Sequence, residues 1–509
     1  MRSSLFGTIL LLGGVSAGFA TGPAAELEYG PFAVGFEIIQ TVDICRPFPA
    51  EDGSGFRGRP MRAYIWYPAR ETSPQPLTVG NFVCMASDDF RLSRGISGAE
   101  GNDVRLPVPL AKGLDTPELQ ALMRKPMKAG LGVRPAQGKF PLIVLGQGLY
   151  YESPLSQAVL SEYLASRGYV VATCPLLGTQ YRLVNMTAED LETQIRDLEF
   201  VIATARSHHS AESGRLGVVG YDLGGMAGLV LAMRNPEVDA FLSMDCAIQS
   251  PHFSGLPGIH PSYREDLFTI PWMHIAQSRF AEAARQSKDP DLLSDRKKFG
   301  DTWIVTVPTE NHGQFSSYAM FGIRRAVRGY WGPVAADIEL LHDAICRLAG
   351  DFFDVVLKSD AYAAQELRAA AEENRRGPLK TEYKKGAAPP PSSRLLMHRI
   401  IEKGPAAGRK EIDNLRSADP GNHIFIEAEL HWLGYHLLLW WGREDEALEV
   451  FRLSVELNPR SAAAYAGLGE TCLVLARTDE AVAALRKALE LDPDLPNVKA
   501  ALERLEKQE

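Results

Sequence analysis

Positive charge is the scarcer sign in this sequence. Its 54 Lys and Arg are outnumbered by 63 Asp and Glu, and the formal net charge is -9 over 509 residues. That balance excludes a nucleic-acid binder built on a basic face, and no basic cluster offers attachment to an anionic membrane. Cysteine is sparse at six, and no two stand at the short spacing of a zinc site. Cys174, Cys246, Cys346 and Cys472 lie in apolar contexts and read as buried residues. Cys45 and Cys84 lie in an irregular N-terminal third, where an exported chain could join them; spacing alone does not decide it. No metal or organic cofactor is implied. Long apolar runs are also missing. The run from Leu5 to about Val15 is shorter than the roughly 20 residues a membrane span needs.

That short run follows Arg2 and leads into the small residues Ala17 and Ala20, the pattern of a secretory signal over residues 1–20. The expectation is an exported chain, periplasmic or extracellular, with no membrane span once the signal is removed.

The remainder is globular in composition, with 45% hydrophobic and 23% charged residues, and its length predicts two or three domains. Residues 59–69 alternate as a strand, while 83–138 are irregular and rich in Gly, Asp and Pro. Apolar strands are then expected at 140–148, 169–177, 215–220, 238–245, 271–277 and 302–308. Amphipathic helices fall between them at 155–167, 188–207 and 224–234, with another near 333–357. Strands alternating with helices predict a mostly parallel sheet, an α/β domain over residues 26–358. Residues 359–394 turn polar and contain Pro389-Pro390-Pro391, so they read as a linker.

Beyond it, residues 395–509 read as an all-α domain. Glu446-Ala447 recurs as Glu480-Ala481, and Leu457-Asn458-Pro459 as Leu491-Asp492-Pro493, each 34 positions on. That is the tetratricopeptide period, with clear repeats at 427–460 and 461–494 and a weaker helical pair near 396–418. Such modules present a concave surface, so residues 427–494 are expected to take a protein or peptide partner.

The densest chemical signal is Gly220-Tyr221-Asp222-Leu223-Gly224-Gly225, between a buried strand and a helix. That is the setting of a nucleophile elbow. Asp245 ends the next strand, 23 positions later, and His312 follows the last strand. Nucleophile, acid and histidine thus come in the order of the α/β-hydrolase fold. The other usual place for the acid follows the 271–277 strand, where the text reads Gln277-Ser278, without a carboxylate. An oxyanion hole would draw one N–H from Leu223 and a second from Leu149, with Gly148 next in line.

These segments carry a resemblance. Gly30-Pro31-Phe32-Ala33-Val34-Gly35, Ile65-Trp66-Tyr67-Pro68, the stretch Tyr163 to Val171, the elbow and the His312 loop resemble bacterial relatives of platelet-activating-factor acetylhydrolase and dienelactone hydrolase over about residues 31–350. The resemblance implies a hydrolase of esters or similar acyl compounds with a small-molecule substrate. It also implies Ser or Cys where this chain has Asp222.

Aspartate changes the chemistry. A carboxylate, with an ordinary pKa near 3.9, is already ionised and can displace a leaving group at an alkyl carbon. Haloalkane dehalogenases and epoxide hydrolases work this way, with the histidine activating water on the alkyl ester. Attack on a carboxylic ester would instead form an anhydride. This chain departs from both enzymes: Leu223 stands where dehalogenases carry Trp, and Gly146-Gln147-Gly148-Leu149 where epoxide hydrolases carry His-Gly-x-Pro. Residues 246–270 are too few for a full helical cap. The expectation is a hydrolase acting on an ester-like or alkyl electrophile; the alternative is an inactive hydrolase-fold scaffold that binds through its repeats.

Overall fold

The structure is a computed structural model. It describes residues 27–506 apart from 50–55, 86–116, 149–153, 180–183, 209, 250–254, 279–291, 310–311, 318–337, 374–378, 389–395, 397–398, 402, 419–426 and 440–442. The expected signal at 1–20, Leu149 and the triple proline therefore lie outside the described residues, as does the Cys45 side chain. Cys84 is exposed and carries a free thiol.

A ten-stranded sheet organises the first unit. Its strands are β1 (Ala33–Pro49), β2 (Phe56–Ala69), β3 (Ala129–Leu131), β4 (Phe140–Gly146), β5 (Val170–Thr173), β6 (Ala211–Tyr221), β7 (Val238–Met244), β8 (Trp272–Gln277), β9 (Thr302–Val307) and β10 (Lys380–Lys384). They run in the order β10-β9-β8-β7-β6-β4-β5-β2-β1-β3. Strands β4 to β9 are mutually parallel, as crossover helices require. β2 pairs antiparallel with β5 and β1, and β10 antiparallel with β9.

The central strands read as continuous apolar runs because both faces are covered. On one face lie α1 (Ala158–Ser166), α4 (Ile338–Lys358) and α5 (Ala361–Glu373), whose Leu164, Phe352 and Leu367 join one core cluster. On the other lie α2 (Ala188–Arg206) and α3 (Leu223–Arg234), with Ile195 and Leu229 in a second cluster. This is a mixed α/β architecture, a mostly parallel sheet covered by helices on both faces.

Two parts of the sheet depart from the expected boundaries. Ala361–Glu373 and Lys380–Lys384, expected within a linker, form α5 and the edge strand β10. Leu367 and Leu379 are buried in the core, and the Tyr383 ring lies 5.2 Å from that of Trp303. Lys380-Thr381-Glu382-Tyr383-Lys384 looks polar because an edge strand keeps one side wet; only Thr381 is buried, with Tyr383 on the same face. The domain thus extends past residue 358. β1, 17 residues long and without a clear alternating pattern in the sequence, pairs with β2 along nearly its whole length.

The second unit is helical: α6 (Pro405–Ala418), α7 (Glu427–Leu439), α8 (Glu444–Leu457), α9 (Ala462–Val474), α10 (Thr478–Leu491) and α11 (Pro496–Glu506). Ala447 and Ala481, the recurring alanines, are fully buried. A Cβ on Gly467 would stand 2.2 Å from the Phe451 ring, so glycine is what lets α9 approach α8. Leu396, Ile400 and Ile412 share a core with Leu430 and Leu433, so the weaker helical pair supplies the extra layer two repeats need. The unit also touches the sheet domain: Trp432 Nε1 of α7 donates to Glu199 Oε1 of α2 at 3.1 Å. Glu199 is held at the same time by Arg234, at the end of α3.

Among the described residues, no helix is long and apolar enough to cross a membrane.

Candidate active site

β6 ends at Tyr221 and α3 begins at Leu223, which leaves Asp222 alone to make the turn. Its backbone takes φ 52° and ψ -117°, a region that costs a non-glycine residue about 1–3 kcal/mol. Surrounding contacts impose it. The Asp222 N–H donates to Met244 O at 3.1 Å, and Asp222 O accepts the Gly225 N–H at 3.0 Å. The turn also presses on the end of β4: a Cβ on Gly224 would lie 2.2 Å from the Gly146 carbonyl. The carboxylate is thereby lifted to the carboxyl end of the sheet, where it remains 23% exposed.

Asp245 follows β7 in a second left-handed conformation, with φ 43°. Its N–H donates to Ile275 O at 2.7 Å, and its side chain is fully buried. His312 opens a one-turn helix, His312–Phe315, after β9. Its Nδ1 lies 2.5 Å from Asp245 Oδ2. A carboxylate there assigns the proton to Nδ1 and leaves Nε2 as the free base. Nε2 lies 4.0 Å from Asp222 Oδ2. The three sequence-predicted residues Asp222, Asp245 and His312 are brought together at the carboxyl end of the sheet.

Two residues that the sequence reading did not credit hold this trio in place. The Tyr221 ring stacks on the His312 ring with centroids 4.8 Å apart, and its hydroxyl donates to His312 O at 3.0 Å. Gln277 donates from Nε2 to Asp245 Oδ2 at 2.5 Å and from its backbone N–H to Oδ1 at 3.2 Å. Their only sequence signal is position, directly before Asp222 and at the end of the strand beside Asp245.

The loop after β4 is anchored from below. Gln147 Oε1 accepts from Ser156 Oγ at 2.5 Å, Nε2 donates to Thr173 Oγ1 at 2.9 Å, and its carbonyl accepts the Gly224 N–H at 3.0 Å. A Cβ on Gly148 would lie 2.9 Å from Asp222 Cβ, so this backbone runs directly past the Asp222 side chain. Leu223 is the first residue of α3, and its N–H has no intrahelical carbonyl to reach. It is one expected oxyanion donor. The other, Leu149, lies outside the described residues.

Neighbouring titratable groups are kept silent. Burial pushes the Cys246 thiol up to about 12, and the charges of Asp222 and Asp245 add to the shift. It is no competing nucleophile near neutrality. Burial brings His274 down to about 4, so it is neutral and serves a buried bond with Ser243 Oγ at 2.8 Å. Among the described residues, no cluster of His, Cys, Asp and Glu is arranged to hold a metal ion.

Comparison with known proteins adds the following. The tetratricopeptide-repeat family profile matches residues 442–505. Among solved structures, the chain is similar to a ferulic acid esterase from Streptomyces cinnamoneus, with a TM-score of 0.45 and 20% identity over 66% of this chain and 94% of that one. No curated protein matches the chain.

Proposed function

We propose that this chain is an exported hydrolase that works through an alkyl ester on Asp222. The observation that carries the reading is the bridging position of His312: Nδ1 at 2.5 Å from Asp245 Oδ2 and Nε2 at 4.0 Å from Asp222 Oδ2. That gap is wider than a hydrogen bond and suits a base that acts on a water beside the carboxylate.

In the first step an Asp222 oxygen attacks an alkyl carbon of a small-molecule substrate. A carbon–oxygen bond forms, the bond to the leaving group breaks, and the leaving group departs with the electron pair. In the second step His312 Nε2 takes a proton from water as the hydroxide attacks Cγ of the ester. The Leu223 N–H, with the loop at Gly148–Leu149, is positioned in sequence to receive the oxyanion. Collapse expels an alkoxide, which takes the proton back from His312 and leaves as the alcohol. Asp222, left as a carboxylic acid by the collapse, releases the second proton of the water to solvent, which regenerates its carboxylate. Asp245 holds the ring and balances the transient imidazolium charge.

Export rests on the N-terminal pattern of Arg2, the apolar run and Ala20. The resemblance to acetylhydrolase and dienelactone hydrolase relatives agrees with a small acyl or alkyl substrate. The repeat match favours an added role, capture of a protein or peptide through residues 427–494.

The test is to trap the ester. His312→Ala is incubated with primary alkyl halides and terminal epoxides, then digested with trypsin. The peptide Leu216–Arg234, which contains Asp222, should gain the mass of the alkyl group. A panel that leaves that peptide unmodified, with no turnover by the native protein, would favour the inactive scaffold.

A further inference from the structure

We infer that Gln277 is a positioning residue of this site: its side chain and backbone together grip both oxygens of Asp245 and so fix where the acid meets His312. The inference rests on reading Asp245 and His312 as the working pair.

Gln277 ends β8, at the second place where this fold can carry its acid. The amide that stands there does not replace the acid but serves it. Asp245 Oδ2 receives two donors at 2.5 Å, His312 Nδ1 and Gln277 Nε2, while Oδ1 receives the Gln277 backbone N–H at 3.2 Å. The amide can face only one way, because the reverse orientation would set Oε1 against a carboxylate. Gln277 is fully buried, and its Oε1 has no hydrogen-bond partner. A buried acceptor without a donor is a cost. A methionine of similar shape would avoid that cost, so the Nε2 contact is what the glutamine supplies.

The contact also sets the strength of the pair. Asp245 divides its charge between two donors, and the positive end of the amide dipole lies beside the oxygen that faces the ring. Both effects weaken the hold on an imidazolium and keep His312 available as a base. The other groups that face this pair are Asp222, at 4.0 Å from Nε2, the stacked Tyr221 ring, neutral His274 and the protonated Cys246 thiol.

The experiment is a substrate-free titration of the full chain with its histidine rings isotope-labelled. The His312 signal is identified by its loss in His312→Ala. In Gln277→Met its midpoint should rise by roughly one unit. In Gln277→Glu it should rise at least as far once the new carboxylate ionises. An unchanged midpoint in folded Gln277→Met overturns the inference, since a purely structural role would alter stability and leave the ring alone. If Gln277→Met does not fold, Gln277→Glu decides: a midpoint at or below that of the native protein overturns it. No substrate is involved, so a shift seen in a protein that turns nothing over sinks only the hydrolase reading.

Discussion

Glu162 should make the fold lose stability as pH rises through the range just below neutrality. It lies on α1, only 1% exposed, and its oxygens accept the Ala129 N–H at 2.9 Å and the Lys128 N–H at 3.0 Å. Burial outweighs those two bonds and the Lys128 charge, and it lifts the carboxyl from 4.5 to about 7. An acid raised in the folded state binds its proton more tightly there than in the unfolded chain. Its contribution is therefore complete below about pH 4.5 and lost as pH rises towards 7. A shift of two to three units corresponds to about 3 kcal/mol. The assay is urea unfolding of the native protein and of Glu162→Gln across pH 4 to 8, followed by tryptophan fluorescence. The neutral amide pays a fixed cost for setting its NH2 against a backbone donor. The gap between the curves should therefore move by about 3 kcal/mol in favour of the variant as pH rises. Parallel curves would refute the claim that burial dominates at this site.

Other substitutions probe the scaffold and the chemistry. Gly224→Ala puts a Cβ 2.2 Å from the Gly146 carbonyl, and backbone cannot yield cheaply; a loss of about 3 kcal/mol is expected by thermal unfolding, with any turnover lost as the elbow shifts. Asp197→Ala strands the buried Arg59 guanidinium, now held in a two-point bond at 2.8 and 2.6 Å, and should cost about 3–5 kcal/mol in urea unfolding. Asp222→Ser should gain hydrolysis of a short-chain aryl ester that the native protein lacks, because a serine hydroxyl gives a stable acyl ester where aspartate gives an anhydride. Such activity in the native protein, lost in the variant, would contradict the argument drawn from that anhydride.

The strands at the centre of the sheet were legible because both of their faces are buried. Residues such as Leu142 to Leu145 are apolar without a break, and no local feature competes. The elbow was legible for a related reason: its glycines answer to close backbone approaches that admit no other residue. β10 and α5 read as linker because an edge strand and a surface helix keep polar faces, and the partner of β10, β9, lies some 80 residues away in sequence. Asp245 and His312 could be singled out from strand ends alone. Gln277 could not, since a glutamine at a strand end has no chemistry until the fold sets it against Asp245. Tyr221 likewise gains its role only from the ring that the His312 loop lays on it.

The most direct test of the account follows oxygen through one turnover. Native protein in excess over a substrate identified by the trapping experiment would react in heavy-oxygen water, and the peptide Leu216–Arg234 would then be weighed. Hydrolysis of an Asp222 ester at Cγ predicts heavy oxygen in the Asp222 carboxylate and ordinary oxygen in the first alcohol released. Heavy oxygen in that alcohol, with the peptide unlabelled, would mean that water attacks the substrate directly and that Asp222 is not the nucleophile.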